Sequence, residues 1–106
     1  MALPDSPNVL SLEGEIDLHV SPSVAATLAT MIAGHPARIV VDLSRTTYVD
    51  SSGLAILIAA MQKVEEYGGK LTLAGINENV RSIFEMARLD QFFLIYPHVD
   101  AALAAS

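Results

Sequence analysis

At one place the chain passes abruptly from a strand pattern to a helix pattern. Ile39-Val40-Val41-Asp42-Leu43 is a nearly continuous apolar run, as expected of a strand covered on both faces near the centre of a sheet. A polar bend, Ser44-Arg45-Thr46-Thr47, leads into Tyr48-Val49-Asp50-Ser51-Ser52-Gly53-Leu54, and from Leu54 to Met61 every residue is apolar. A small polar residue before such a run is a helix N-cap signal, because its oxygen accepts from the first free backbone N–H groups. Ser51 or Ser52 is therefore expected at the start of a helix. A hydroxyl there also faces the positive end of the helix dipole, a setting that tolerates a dianionic phosphate.

The remaining pattern alternates strand and helix. Residues 1–7 contain two prolines and read as a tail or a short edge strand; the domain proper is expected over residues 8–106. Asn8 to Glu13 alternates like a strand, Gly14 interrupts it as at a bend or bulge, and Glu15 to Leu18 follows. Ser21-Pro22 reads as an N-cap with proline at the first helical position, opening a helix to about Ala33. The central helix, from about Ser52 to Tyr67, stops at Gly68-Gly69, which suits a left-handed cap. Lys70 to Ala74 is the next strand, and Asn77 caps a helix with Val80, Ile83, Phe84 and Ala87 on one face. Phe92 to Ile95 is a last short strand, and residues 97–105 form a small Ala-rich helix. This order implies an α/β fold with a mixed, mainly parallel sheet of four to five strands and about four helices.

Composition narrows the function. A chain of 106 residues suits one domain, and a hydrophobic fraction of 52% against 17% charged argues against disorder. Without cysteine there are no disulfides, thiol catalysis or thiolate metal sites. The apolar run falls far short of the roughly 20 residues that span a bilayer, and Met1 to Asp5 lacks the basic and apolar regions of a signal peptide. A cytoplasmic domain is expected. The net charge of −6 disfavours nucleic acid and anionic membranes as partners. It suits a protein with a basic face, and equally serves solubility.

Ser51 is the candidate site: a phosphoryl acceptor exposed at a strand-to-helix corner, or simply a helix cap. Spacing alone admits both. A serine hydrolase is disfavoured, since there is no G-x-S-x-G elbow and no histidine marked as its base. Eight consecutive apolar residues cover more than one helical face, so Ile56, or Ala59 and Ala60, is left exposed near Ser51 for a partner, unless the helix is sandwiched within the domain. Asp17, Asp42 and Asp50 do not make a phosphoaspartate receiver, because Glu15 and Asp17 are not adjacent and Lys70 begins its strand. His19, His35 and His98 have no metal-ligand spacing, and the glycines form no nucleotide-binding loop. No catalytic or metal-binding residue is assigned.

Taken together, Gly14-Glu15-Ile16-Asp17, Ile39 to Leu43, Val49-Asp50-Ser51-Ser52-Gly53-Leu54, Gly68-Gly69-Lys70-Leu71 and Asn79 to Phe84 with Leu89 resemble a STAS domain. That family includes bacterial anti-sigma factor antagonists and the cytoplasmic domains of sulfate transporters. The Asp-Ser-Ser-Gly-Leu step is the most specific of these matches. The resemblance implies a single, non-enzymatic STAS-type domain and, in stand-alone antagonists, phosphorylation on the serine after that aspartate, here Ser51. It implies partner switching: the unphosphorylated chain binds an anti-sigma factor serine kinase and frees a sigma factor. The kinase, using ATP and Mg²⁺, phosphorylates the serine, and a PP2C-type phosphatase reverses it. The antagonist itself needs no cofactor. Asp17, Asp50, Ser51, Ser52, Gly53, Leu54 and Ile56 are the residues expected to meet the partner. The alternative is a STAS adaptor docking on the ATPase of a lipid-transporting ABC system, with no phosphate involved.

Overall fold

The strand and helix patterns come out in the expected order. The computed structural model describes residues 8–105, in which β1 (Val9–Ile16), α1 (Ser21–Ala33), β2 (Arg38–Val49), α2 (Ser51–Glu66), β3 (Lys70–Ala74), α3 (Glu78–Met86), β4 (Leu94–Tyr96) and α4 (Val99–Ala104) follow in turn. The strands form one sheet in the order β1-β2-β3-β4, and among the described residues every pairing is parallel, with no antiparallel member. The expected edge strand in residues 1–7 lies outside the described residues.

Each parallel neighbour is reached through a helix, and a crossover of fixed hand places successive helices on the same face. Ile39, Val41 and Leu43 of β2 and Leu71 and Leu73 of β3 accordingly share a core with Leu28 of α1, Leu57 and Val64 of α2, and Val80 and Phe84 of α3. The alternate residues Val40 and Ala74 face the other way and are covered by Ala102 of α4. That is why the middle of β2 reads as an unbroken apolar run. Phe93 lies just before β4 and meets Phe84 edge-on at 5.8 Å. β4 is therefore shorter than the expected Phe92 to Ile95, its aromatic lead-in being used to close the core.

The polar bend expected at Ser44 to Thr47 is instead the second half of a 12-residue strand. Ser11 to Glu13 of β1 faces Asp42 to Arg45 of β2, and Gly14-Glu15 faces Thr46 to Tyr48, so β2 carries one extra residue at each step. Such bulges accentuate twist and take residues out of regular pairing, and this accounts for the bend-like composition. Gly14, at φ +72°, sits opposite the second bulge without ending β1. The buried Thr46 hydroxyl donates to the Leu12 carbonyl at 2.9 Å, satisfying an oxygen at the first bulge. β3 pairs with β2 only as far as Asp42. Beyond it the side-chain amides of Asn77 and Asn79 donate to the carbonyls of Thr46 and Thr47, at 2.7 and 3.0 Å. These two asparagines hold the end of β2 in place of a neighbouring strand, and so help position the start of α2.

Candidate functional site

β2 ends at Val49, buried in the core, and the chain turns at Asp50 with extended backbone, φ −90° and ψ −176°. The Asp50 N–H donates to the Ile16 carbonyl at 3.0 Å, which ties the turn to the end of β1. Its carboxylate oxygen Oδ1 accepts from Ser52 N at 2.9 Å, Gly53 N at 3.1 Å and the Ser52 hydroxyl at 2.5 Å. Asp50 is therefore the N-cap of α2: Ser51 and Ser52 stand at the helix start as expected, and only the reading of either serine as the cap is corrected. The carboxylate lies one residue further out and bonds more strongly as an acceptor than a hydroxyl does. The Ser52 hydroxyl holds the Asp50 carboxyl below its ordinary range; partial burial opposes this, and the N–H groups of Gly53, Ser52 and Leu18 reinforce it.

With the cap supplied by Asp50, Ser51 is the first residue of α2, exposed, and its hydroxyl has no hydrogen-bond partner among the described residues. Ser52 turns inward, where its oxygen lies 2.8 Å from that of Ser21. Gly53 fits because it has no side chain. A Cβ there would stand 2.8 Å from Val49 Cγ1 and 2.9 Å from Ile16 Cγ2, inside contact distance. Leu54 and Ile56 are half-buried against the core. Ile56 and Ala59 also line a shallow apolar groove of about 140 Å³ with Ala25, Ala29 and Ile32 of α1. Ala59 is exposed and Ala60 buried, so the apolar run is divided between a core stripe and this groove.

Asp17 governs the loop from β1 to α1. Its side chain accepts from His19 N at 2.9 Å and its carbonyl from Ser21 N at 2.8 Å. Val20 is the N-cap of α1 and makes no side-chain cap bond. The expected cap, Ser21, is instead the first helical residue, only 4% exposed, and its hydroxyl reaches across to α2. Through that contact the Asp17 loop and the Asp50 turn lie side by side. The structure thus brings together Asp17, Asp50, Ser51, Ser52 and Gly53, with Leu54 and Ile56 following on α2. Leu18, 74% exposed, and the exposed Val20 lie in the loop that Asp17 holds, beside the same corner, and the sequence pattern does not mark them. A lone apolar residue in a polar loop carries no signal of which way it points.

This corner offers one free hydroxyl beside an ionised carboxylate that is already taken by the helix start. Among the described residues no cluster of potential ligands could hold a metal ion. No described helix is long and apolar enough to cross a membrane.

A family model for the STAS domain matches residues 1–102. The chain is 30% identical over 95 residues to the anti-sigma-F factor antagonist RsfB of Mycobacterium tuberculosis, covering 90% of this chain and 77% of that protein. It superposes on the crystal structure of an anti-sigma factor antagonist from Mycobacterium paratuberculosis with a TM-score of 0.82 at 29% identity, covering 97% of this chain and 96% of that one. It is also similar to the Bacillus cell fate determinant SpoIIAA in its phosphorylated form, with a TM-score of 0.68 at 26% identity over 88% of this chain and 85% of that one. A match of this extent, joined to the Asp50-capped turn on a sheet of this order, shows that the chain belongs to the STAS domain family.

Proposed function

We propose that this chain is an anti-sigma factor antagonist that binds an anti-sigma factor kinase and is switched by reversible phosphorylation of Ser51. The observation that carries this reading is the state of Ser51: exposed, unengaged, and first in a helix whose cap is supplied by another residue. Losing that hydroxyl to a phosphate costs the fold nothing it uses. The similarity to antagonists, one of them solved in a phosphorylated form, supports the same reading.

The electrostatics are those of a switch of surface rather than of fold. A phosphate adds about −1.5 to −2 charges at pH 7. On Ser51 it gains from the positive end of the α2 dipole, although Ser52 N and Gly53 N are already bonded to Asp50, and loses against the Asp50 carboxylate one residue away. A partner seated on this corner meets the full change in charge and bulk. The chain's own charge of −6 favours a basic face on that partner. Asp17 and Asp50 supply local negative charge, and Leu54, Ile56 and the exposed Leu18 supply apolar contact. The kinase brings ATP and Mg²⁺, a PP2C-type phosphatase removes the group, and the cycle runs in the cytoplasm.

Incubation of the chain with a serine kinase of this class, ATP and Mg²⁺, followed by intact mass measurement, is expected to add one phosphoryl group. Ser51→Ala is expected to abolish it. Ser51→Asp is expected to weaken kinase binding at least tenfold by calorimetry. Wild-type affinity in that variant would remove the switch and leave an adaptor role.

A further inference from the structure

Two serines stand side by side at the start of α2, and their hydroxyls have opposite surroundings. Ser51 Oγ is exposed and unengaged among the described residues. Ser52 is half-buried, with its Oγ held between Asp50 Oδ1 at 2.5 Å and Ser21 Oγ at 2.8 Å. Elimination assigns the protons along this chain of oxygens. The Asp50 carboxylate is held in its ionised form and has no proton to give, so Ser52 donates to it. A hydroxyl has one proton, so Ser52 can only accept from Ser21. The order is Ser21 O–H to Ser52 Oγ, and Ser52 O–H to Asp50.

This arrangement bears on which serine reacts. A nucleophilic hydroxyl attacks with an oxygen lone pair while a base takes its proton. Ser52 already has a carboxylate in that position, so by pairing alone it is the better activated of the two. The Ser21 proton occupies one of its lone pairs, however, and the bond directs the Ser52 oxygen toward α1 and away from solvent. Ser21 is only 4% exposed, so water does not readily replace that bond. From this we infer that Ser21 is a positioning residue that silences Ser52 and confines phosphoryl transfer to Ser51. The inference rests on Ser51 being the phosphoryl acceptor.

In that transfer the Ser51 Oγ–P bond forms as the bond from the γ-phosphorus of ATP to its β,γ-bridging oxygen breaks. ADP leaves, and the hydroxyl proton passes to the kinase or to water. Without the Ser21 hydroxyl, the Ser52 oxygen recovers that lone pair while its proton stays on the bond to Asp50, and the same exchange there, with ADP leaving, sends the proton to Asp50.

The test uses the full chain as wild type, Ser21→Ala and Ser21→Thr, with the kinase, ATP and Mg²⁺ of the mass assay and with the phosphosite mapped by tandem mass spectrometry. Wild type and Ser21→Thr, which keeps the hydroxyl, are expected to carry phosphate on Ser51. Ser21→Ala is expected to raise the Ser52 share about fivefold, the factor contributed by one neutral hydrogen bond of typical strength. The Ser51→Ala protein should be inert, whereas Ser21→Ala/Ser51→Ala should take up phosphate on Ser52. A kinase-free arm follows the Ser52 hydroxyl proton by NMR at low temperature, where it should exchange slowly in wild type and fast in Ser21→Ala. Phosphate confined to Ser51 in Ser21→Ala, with the double variant inert, overturns the silencing role and leaves the Ser51 switch standing. Wild type unmodified at both serines overturns the switch and this selection together, while the NMR arm still reports on the hydroxyl chain.

Discussion

The starts of α1 and α2 look alike in sequence and differ in what they leave exposed. Each has an aspartate upstream and then serine before an apolar stretch, Asp17 to Ser21 in one case and Asp50-Ser51-Ser52 in the other. In neither does a serine cap the helix. At α1 the loop is held by Asp17, and Ser21 is turned in and used. At α2 the Asp50 carboxylate takes the first N–H groups, Ser52 is turned in to meet Ser21, and Ser51 is turned out. One helix start is closed and the other keeps a hydroxyl to spare. A carboxylate can satisfy several donors at once, so an aspartate ahead of two serines releases them for other work.

The comparison is broken most severely at Gly53, because the open start of α2 depends on its close approach to β1 and β2. Gly53→Ala puts a methyl within 2.9 Å of both Val49 and Ile16 side chains. Overpacking of this kind is expected to cost about 3 kcal/mol, read from urea denaturation, with the loss centred on the first turn of α2. Next is Asn77, which caps α3 through Val80 N at 2.9 Å and holds the Thr46 carbonyl at 2.7 Å. Asn77→Ala removes both bonds and should cost about 2 kcal/mol. Its amide exchange should rise at the end of β2 as well as in α3, which a pure cap would not cause.

The order of elements was legible because the periods of two and 3.6 residues alternate along the chain, and Asn77 and Gly68 mark helix ends unambiguously. The second half of β2 was not. Ser44, Arg45 and Thr47 are exposed, and Thr46 is buried only because its hydroxyl finds the Leu12 carbonyl, a partner 34 residues away in sequence. The site was legible to within a residue. Three consecutive residues that can each cap, Asp50-Ser51-Ser52, leave local pattern unable to choose among them, and the choice is made by which oxygens the folded turn aims at Ser52 N and Gly53 N. Ser21 was misassigned for a related reason: a serine before proline signals a helix start, and only the packing of α1 beside α2 sends its hydroxyl to Ser52.

Smaller effects sharpen the contrast between the two starts. Ser21→Ala removes a buried bond and should cost about 1 kcal/mol in the same denaturation experiment. Asp50→Asn keeps an acceptor oxygen, so its effect near pH 7 should be smaller, and pH is the informative variable. The folded-state pKa of Asp50 lies below its unfolded value. Its contribution is therefore complete above the unfolded carboxylate range, about pH 4, and fades as pH falls through the folded value. The wild-type stability curve should bend downward below about pH 4, and that of Asp50→Asn should be flatter there. Equal acid limbs would mean that the carboxylate is not what holds the α2 start.

The smallest expected change in stability is at Ser51, and its smallness is the point. Ser51→Ala removes an exposed hydroxyl with no hydrogen-bond partner among the described residues, from a helix whose cap lies on Asp50. Alanine also propagates a helix better than serine. Stability should shift by no more than about 0.5 kcal/mol, in either direction. The same removal of one hydroxyl is thus expected to cost measurably at Ser21 and almost nothing at Ser51. A loss at Ser51 comparable to that at Ser21 would show that its hydroxyl is engaged in the fold, and a hydroxyl so engaged is a poor place to carry a removable phosphate.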